Sequence, residues 1–287
     1  MPWVSHDATI NSRGVDEQVM STPLILVTND DGIHSPGLHA AVEAILPLGD
    51  VLVVAPAAQQ TSMGRSMPET DGILRPEALT INGHSVPAYA LNGSPALAVL
   101  LGIIVLCEER SPSLVVSGIN YGENLGNGVT ISGTVGAAFQ AASMGIPALA
   151  VSLETDHDFH YKHGEADWTT ARYFTRYFAQ RVLAQTLPFD VDVLKVDIPR
   201  EATPQTPWRL TRQSRHSYYQ SFIKDPAPQG QLGGRLGYRV AVQPNEVEPD
   251  SDIYAFLVDR VVSVTPLSID CTSRVDFEHL EKILRQE

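Results

Sequence analysis

From residue 24 to residue 198, apolar runs alternate with polar loops in the rhythm expected of a parallel sheet wrapped by helices on both faces. Leu24 to Val27 predicts the first strand. Ser35 then caps a helix with Pro36 in its first position, and Leu38, Ala41, Val42, Ile45 and Leu46 form its apolar face before Pro47 and Gly49 end it. Val51 to Val54 predicts a second buried strand, and Ala55 to Met67 a polar loop. Leu74 to Ala90 reads as extended chain around the Asn82-Gly83 turn, and the tight Asn92-Gly93-Ser94-Pro95 leads into a helix from Ala96. Leu114 to Val116, Pro147 to Leu153 and Val193 to Ile198 predict three more strands. Helices over Thr134 to Met144 and Trp168 to Leu187 separate them, the first built of small residues that imply close packing on the sheet.

Beyond Arg200 the pattern breaks. Proline, glycine and glutamine collect, above all from Lys224 to Gly237, and predict hairpins or an arm rather than more sheet. Val261 to Val264 returns as a strand, and Ser273 to Leu284 reads as a capped terminal helix. The expected organisation is a flexible extension over 1–20, an α/β domain carrying the chemistry over 21–200, and an arm, returning strand and helix over 201–287. The fold class is a doubly wound, mostly parallel α/β sheet with a C-terminal hairpin.

Composition narrows the function. The 287 residues are 43% hydrophobic, enough for a large core, and the formal charge of -13 argues against a nucleic-acid duplex or membrane-surface binder. Any phosphate ligand therefore needs a local positive centre, which a metal ion and helix N-termini supply. Cys107 and Cys271 stand far apart outside any paired spacing, so a reducing cytoplasm is expected. The first twenty residues lack an apolar signal core, and the longest apolar run, Ala96 to Cys107, is too short to span a bilayer.

The chemistry starts where the first strand ends, in Asn29-Asp30-Asp31-Gly32. Asp-Asp-Gly is also ordinary turn chemistry, but two adjacent carboxylates at the ligand-binding edge of a parallel sheet require compensation, most simply by a divalent cation. Thr61 and Ser62 follow the second strand, Asn120 follows Leu114 to Val116, and Ser132-Gly133-Thr134 precedes a helix. Carboxylates, hydroxyl and amide carbonyl form an all-oxygen set suited to magnesium or manganese. Gly118, Gly122, Gly126, Gly128 and Gly133 predict a tightly folded loop with inward amides, in which Ser132-Gly133-Thr134 presents free N–H groups at a helix start as a phosphate cradle, and Asn124 adds a side-chain donor. His34 and His39 read as surface or packing groups. His157, His160 and His163 read as a solvated loop, and Arg212 and Arg215 as interface salt bridges or phosphate contacts.

Val27-Thr28-Asn29-Asp30-Asp31-Gly32-Ile33, Val54-Ala55-Pro56, Asn92-Gly93-Ser94-Pro95-Ala96, Ser117-Gly118-Ile119-Asn120, Ser132-Gly133-Thr134-Val135, Thr211-Arg212-Gln213-Ser214 and Ser263-Val264-Thr265-Pro266-Leu267 together resemble the SurE-type survival proteins. The resemblance implies a metal-dependent 5'-nucleotidase or acid phosphatase. It implies that Asp30, Asp31 and Asn120 bind one Mg2+ or Mn2+ with a hydroxyl from the loop after the second strand, usually serine and here Thr61. Asp30 or Asp31 would activate the attacking water. Ser66, Asn124, Ser132, Gly133 and Thr134 would contact phosphate, and Asn92 would shape the base or sugar pocket. Asp250 and Asp252 match an acidic loop, and Arg260-Val261 stands where the family has Gly-Tyr. An arm exchanged between subunits, giving a homodimer or tetramer, is also implied. Two rivals stay open at this point: a phospho-accepting receiver-type module and a metal-dependent deacetylase.

Overall fold

The computed structural model describes residues 22–156, 159 and 163–285, so the extension expected over 1–20 lies outside it. In chain order the first half comprises β1 (Leu24–Thr28), α1 (Pro36–Ile45), β2 (Asp50–Pro56), β3 (Arg75–Ile81), β4 (His84–Leu91), α2 (Pro95–Leu101), β5 (Leu114–Tyr121) and α3 (Gly133–Ala142). The second half comprises β6 (Ala148–Leu153), α4 (Thr169–Ala184), β7 (Val193–Ile198), β8 (Trp208–Leu210), β9 (Tyr219–Pro226), β10 (Gly234–Val240), α5 (Asp252–Leu257), β11 (Val262–Leu267) and α6 (Phe277–Leu284).

Nine strands form one sheet in the order β3-β4-β2-β1-β5-β6-β7-β11-β8. β1 sits inside it, paired parallel with β2 from Leu24↔Asp50 and with β5 from Ile25↔Leu114. The chain moves outward through β2 and β4, then returns across β1 to build β5, β6 and β7 on the other side. The reversal between β1 and β5 is the switch point at which such sheets open a crevice. Helices α1 and α4 cover one face over Ile25, Val27, Val116 and Val151. Helices α2 and α3 cover the other over Leu26, Val54, Val115 and Ala150. Burial on both faces explains why these strands read as unbroken apolar runs.

Three features differ from the sequence reading. The main sheet gains a strand not expected beyond Arg200: beside the returning strand β11, which pairs antiparallel with β7, β8 pairs parallel with β11. Trp208-Arg209-Leu210 is too short to show a strand period. The Asp250–Asp252 stretch, expected as a loop, ends in α5, capped by Ser251 accepting from Tyr254 N–H. The terminal helix starts later than Ser273, because Asp276 is its N-cap. The predicted hairpin is present as β9 and β10, a separate two-stranded sheet. Its root packs with α5 and Leu125 in a small third core of Leu125, Tyr218, Val247, Ile253 and Phe256.

Candidate active site

Asp30 and Asp31 follow β1 directly, and the turn that presents them is closed by Asn29 Nδ2 donating to the Gly32 carbonyl, with Gly32 at φ +96°. Both carboxylates are buried, at 5% and 4% exposure. Asp30 Oδ1 accepts from the Thr134 hydroxyl at 2.6 Å. Asp31 accepts from Gln59 Nε2 at 3.0 Å and from Tyr121 N–H at 3.2 Å. Burial drives the Asp30 pKa up to about 6 in spite of the Thr134 hydroxyl, and drives that of Asp31 well above the ordinary range, with the Asp30 charge adding to the effect.

The turn is tied to the loop after β2 by Gln60 N–H donating to the Asp30 carbonyl at 2.7 Å and Ile33 N–H donating to the Pro56 carbonyl at 2.9 Å. These bonds carry Thr61 and Ser62 to the mouth of a cavity of about 470 Å³, lined also by Asp30, Asp31 and Asn120. A register shift in the β5–β6 pairing between Ser117 and Asn120 precedes the end of the strand. Asn120 Nδ2 donates to the Gly122 carbonyl at 2.6 Å, which fixes the side-chain amide. Asp30 and Asp31 after β1, Thr61 after β2 and Asn120 at the end of β5 thus meet at one cavity, which Asn124 and Ser132 also line.

Other expected residues lie elsewhere. Ser66 and Asn92 are not among those lining the cavity. The Ser66 carbonyl accepts from Ser94 Oγ at the start of α2, and Asn92 is exposed at the end of β4. Gly133 and Thr134 lie behind Asp30, whose carboxylate rests against the N-terminus of α3: a Cβ at Gly133 would come within 2.8 Å of Asp30 Oδ2. The glycine-rich loop does not turn its amides inward. Gly122 N–H donates to the Leu153 carbonyl, Asn124 N–H to Asp197 and Gly126 N–H to Asp252, so a neighbouring strand and two buried carboxylates take up these three amides. His34 is exposed, 3.6 Å from Glu77, and His39 lies on α1. Arg212 pairs with Asp250 at the surface. His157 and His160 fall outside the described residues. His163, read as loop, stacks on Tyr121 and places Nε2 3.1 Å from the Asp31 carbonyl oxygen.

The sequence reading also passed over Glu123. It is buried in the cavity wall, hydrogen-bonded to the Tyr219 hydroxyl, with its other oxygen unpartnered. Burial raises its pKa to about 7. Tyr219 lies almost a hundred residues along the chain, so no local pattern signals the pair.

The donor set fits a divalent cation. Asp30 and Asp31 are buried side by side with no cationic side chain within ion-pair distance among the described residues, and hydrogen bonds alone leave both pKa values raised. No cluster of three or more His, Cys, Asp or Glu forms among the described residues. The other oxygen donors lining the cavity include the hydroxyls of Thr61, Ser62 and Ser132 and the amide oxygens of Asn120 and Asn124, a hard all-oxygen lining.

Fold and site together define a doubly wound α/β protein with an acidic, oxygen-lined ligand site at its switch point. Residues 25–220 match the family model described as Survival protein SurE. The chain is 41% identical to the 5'-nucleotidase SurE of Thermococcus kodakarensis over 91% of this chain and 98% of that one. It is 43% identical to the 5'-nucleotidase SurE of Thermococcus gammatolerans over 91% and 95%. A crystal structure of the SurE protein from Aquifex aeolicus superposes with a TM-score of 0.69 at 32% identity, covering 91% of this chain and 98% of that one. The chain belongs to the SurE family. The receiver-type and deacetylase alternatives fall with that membership.

Proposed function

We propose that this protein is a metal-dependent phosphomonoesterase that hydrolyses nucleoside 5'-monophosphates to nucleoside and phosphate. The observation that carries the reading is the buried, uncompensated Asp30–Asp31 pair, opening with Asn120 and Thr61 on a cavity large enough for a mononucleotide. The curated relatives that match its sequence over nine-tenths of the chain are named 5'-nucleotidases.

In this reading Asp30, Asp31, Thr61 and Asn120 hold one Mg2+ or Mn2+, which when bound neutralises charge developing on the phosphoryl oxygens. Thr134 keeps Asp30 in one orientation, and Gln59 and the Tyr121 amide do the same for Asp31. A locked carboxylate orients an attacking water and accepts its proton without first paying to reorganise. The N-terminus of α3 adds positive potential beside Asp30, and the Ser132 hydroxyl and the second Nδ2 hydrogen of Asn124, whose first goes to Ser152 Oγ, offer donors to the phosphate oxygens. The loop wall at Glu123 and the arm tyrosines Tyr218, Tyr219 and Tyr238 face the rest of the ligand.

The reading includes a homodimer or tetramer formed through the β9–β10 arm, and a cytoplasmic location. Phe222, Ile223 and Leu236 of the arm are exposed, as an interface face would be in a single chain. Among the described residues no helix is long and apolar enough to cross a membrane.

The test is phosphate release from a panel of nucleoside 5'-monophosphates with Mg2+ or Mn2+, before and after EDTA, in the wild type and in Asp30→Asn. Turnover that needs metal and falls at least about a thousandfold in the variant is expected. Turnover untouched by either change would sink the reading.

A further inference from the structure

Lys195 lies in the middle of β7 with no exposed surface, an expensive place for an ammonium. Its Nζ is 2.5 Å from Asp197 Oδ2 and 3.1 Å from Asp252 Oδ2, and both aspartates are likewise fully buried. One cation faces two carboxylates, and backbone N–H groups satisfy the excess acceptor capacity. Asn124 N–H donates to Asp197 Oδ1 at 2.7 Å, Gly126 N–H to Asp252 Oδ2 at 3.0 Å, and Ser214 N–H to Asp252 Oδ1 at 2.9 Å. Two of these donors belong to the loop over 122–128 that walls the cavity, and the third to the root of the arm. Further bonds stitch that root to the same loop: Asn127 N–H to the His216 carbonyl, and Gln213 Nε2 to the Gly126 carbonyl. Gly126 has no room for a side chain because a Cβ would run into the His216 carbonyl oxygen.

We infer that Lys195 is a positioning residue, whose buried ammonium holds Asp197 and Asp252 as fixed acceptors and through them sets the 122–128 loop and the arm root against the cavity. An apolar triad of the same volume would pack at no greater cost. It would leave four amides, those of Asn124, Gly126, Ser214 and Ile253, without acceptors and the loop without a defined height above the sheet. The ion cluster touches neither Asp30 nor Asp31, so its effect on turnover runs through the wall that meets the substrate, where Asn124 also donates to Ser152 Oγ at 2.8 Å.

The kinetic arm of the test rests on the phosphomonoesterase reading; the exchange arm does not. Three variants are compared with the wild type in the full chain supplied with Mn2+. Asp197→Asn keeps an oxygen for the Asn124 amide, whereas Asp197→Leu has similar volume and none, and both leave Lys195 paired one to one with Asp252. Lys195→Met removes the cation. In Asp197→Leu the amides of 122–128 should exchange hydrogen at least about tenfold faster than in the wild type, the loss of one charge-assisted hydrogen bond. KM for a nucleoside 5'-monophosphate should rise about tenfold while kcat stays within about threefold. Asp197→Asn should retain protection and KM. Lys195→Met, where it folds, should loosen the loop at least as much as Asp197→Leu. Equal behaviour of the Asn and Leu variants, or a fall in kcat at unchanged KM, overturns the proposal. A wild type without phosphatase activity overturns the functional reading instead, and loop exchange alone then decides the positioning role.

Discussion

Arg260 occupies the left-handed region, at φ +51°, where a side chain costs about 1 kcal/mol that glycine avoids. The strain is offset by what the guanidinium reaches: both oxygens of Glu201, one of Glu154, and the Phe256 carbonyl. Arg260→Ala keeps the strain and loses the contacts, whereas Arg260→Gly loses the contacts and relieves the strain. Urea denaturation should therefore rank wild type above Gly and Gly above Ala by about 1 kcal/mol. At Asp30 the balance depends on pH. Its folded pKa of about 6 lies above the ordinary 3.8, so the native state binds the proton more tightly than the unfolded chain does. The resulting stability is complete below about pH 4 and is lost as pH rises through about 6. In EDTA, melting curves of the wild type should fall across that interval, while Asp30→Asn, which still accepts from Thr134, should be more stable at pH 8 by roughly 2 kcal/mol. Added Mn2+ should raise the wild-type melting temperature and leave the variant's unchanged. Asp30, Asp31 and Asn120 were legible in the sequence because each ends an apolar run. Glu123, Lys195 and His163 were not, because Tyr219, Asp252 and Asp31, which give them meaning, are 57 to 132 residues away in the chain.

At the scale of elements, α3 shows how small residues convert sequence into site geometry. Ala137, Ala138 and Ala141 lie flush on the sheet, while Gly136 lets the loop after β2 rest on the helix. A Cβ at Gly136 would collide with the Gly64 carbonyl oxygen. Gly64 N–H also donates to the Ile131 carbonyl, and Arg65 Nε to Gln140 Oε1 on the helix, so the loop bearing Thr61 is held along its length. Gly136→Ala ought to cost about 1–3 kcal/mol as an overpacked contact, although alanine is the better helix former. Because the displaced loop carries Thr61 and not Asp30 or Asp31, Mn2+ titration of this variant should show weakened metal binding in a protein that still folds. Elements with a strong period or a cap were readable in advance: Ser35 before α1, Ser94 before α2, and the Asn82-Gly83 turn between β3 and β4. Elements defined by their neighbours were not. The three residues of β8 become a strand only because β11 offers an edge, and the amides of the glycine loop point where buried carboxylates draw them rather than where a phosphate would.

For the whole molecule, net charge and exposed apolar surface act against each other. A chain of formal charge -13 resists self-association, so contacts between copies must offer apolar burial enough to overcome that repulsion. The β9–β10 hairpin has the required character. Ile223 pairs across it with Leu236, and both are about half exposed, as are Phe222 and Val240. Among the described residues the hairpin pairs with no other strand, yet its root is fixed by the third core and by Ser214 on Asp252. A rigid root under an uncovered apolar hairpin is the arrangement by which an arm reaches a second copy, and Tyr238 on β10 links its placement to the cavity. If the arm makes the proposed assembly, Ile223→Lys combined with Leu236→Lys should convert dimers or tetramers to monomers in light scattering. Neither residue lines the cavity or joins the cores, so the monomer should keep its fold by circular dichroism. Where docking of the arm also steadies Tyr219 and Tyr238, KM for the nucleotide should rise more than KM for p-nitrophenyl phosphate, which is too short to need the wall. A double variant that remains oligomeric would assign assembly to another surface, such as the exposed face of α6 that carries Phe277, Leu280 and Leu284.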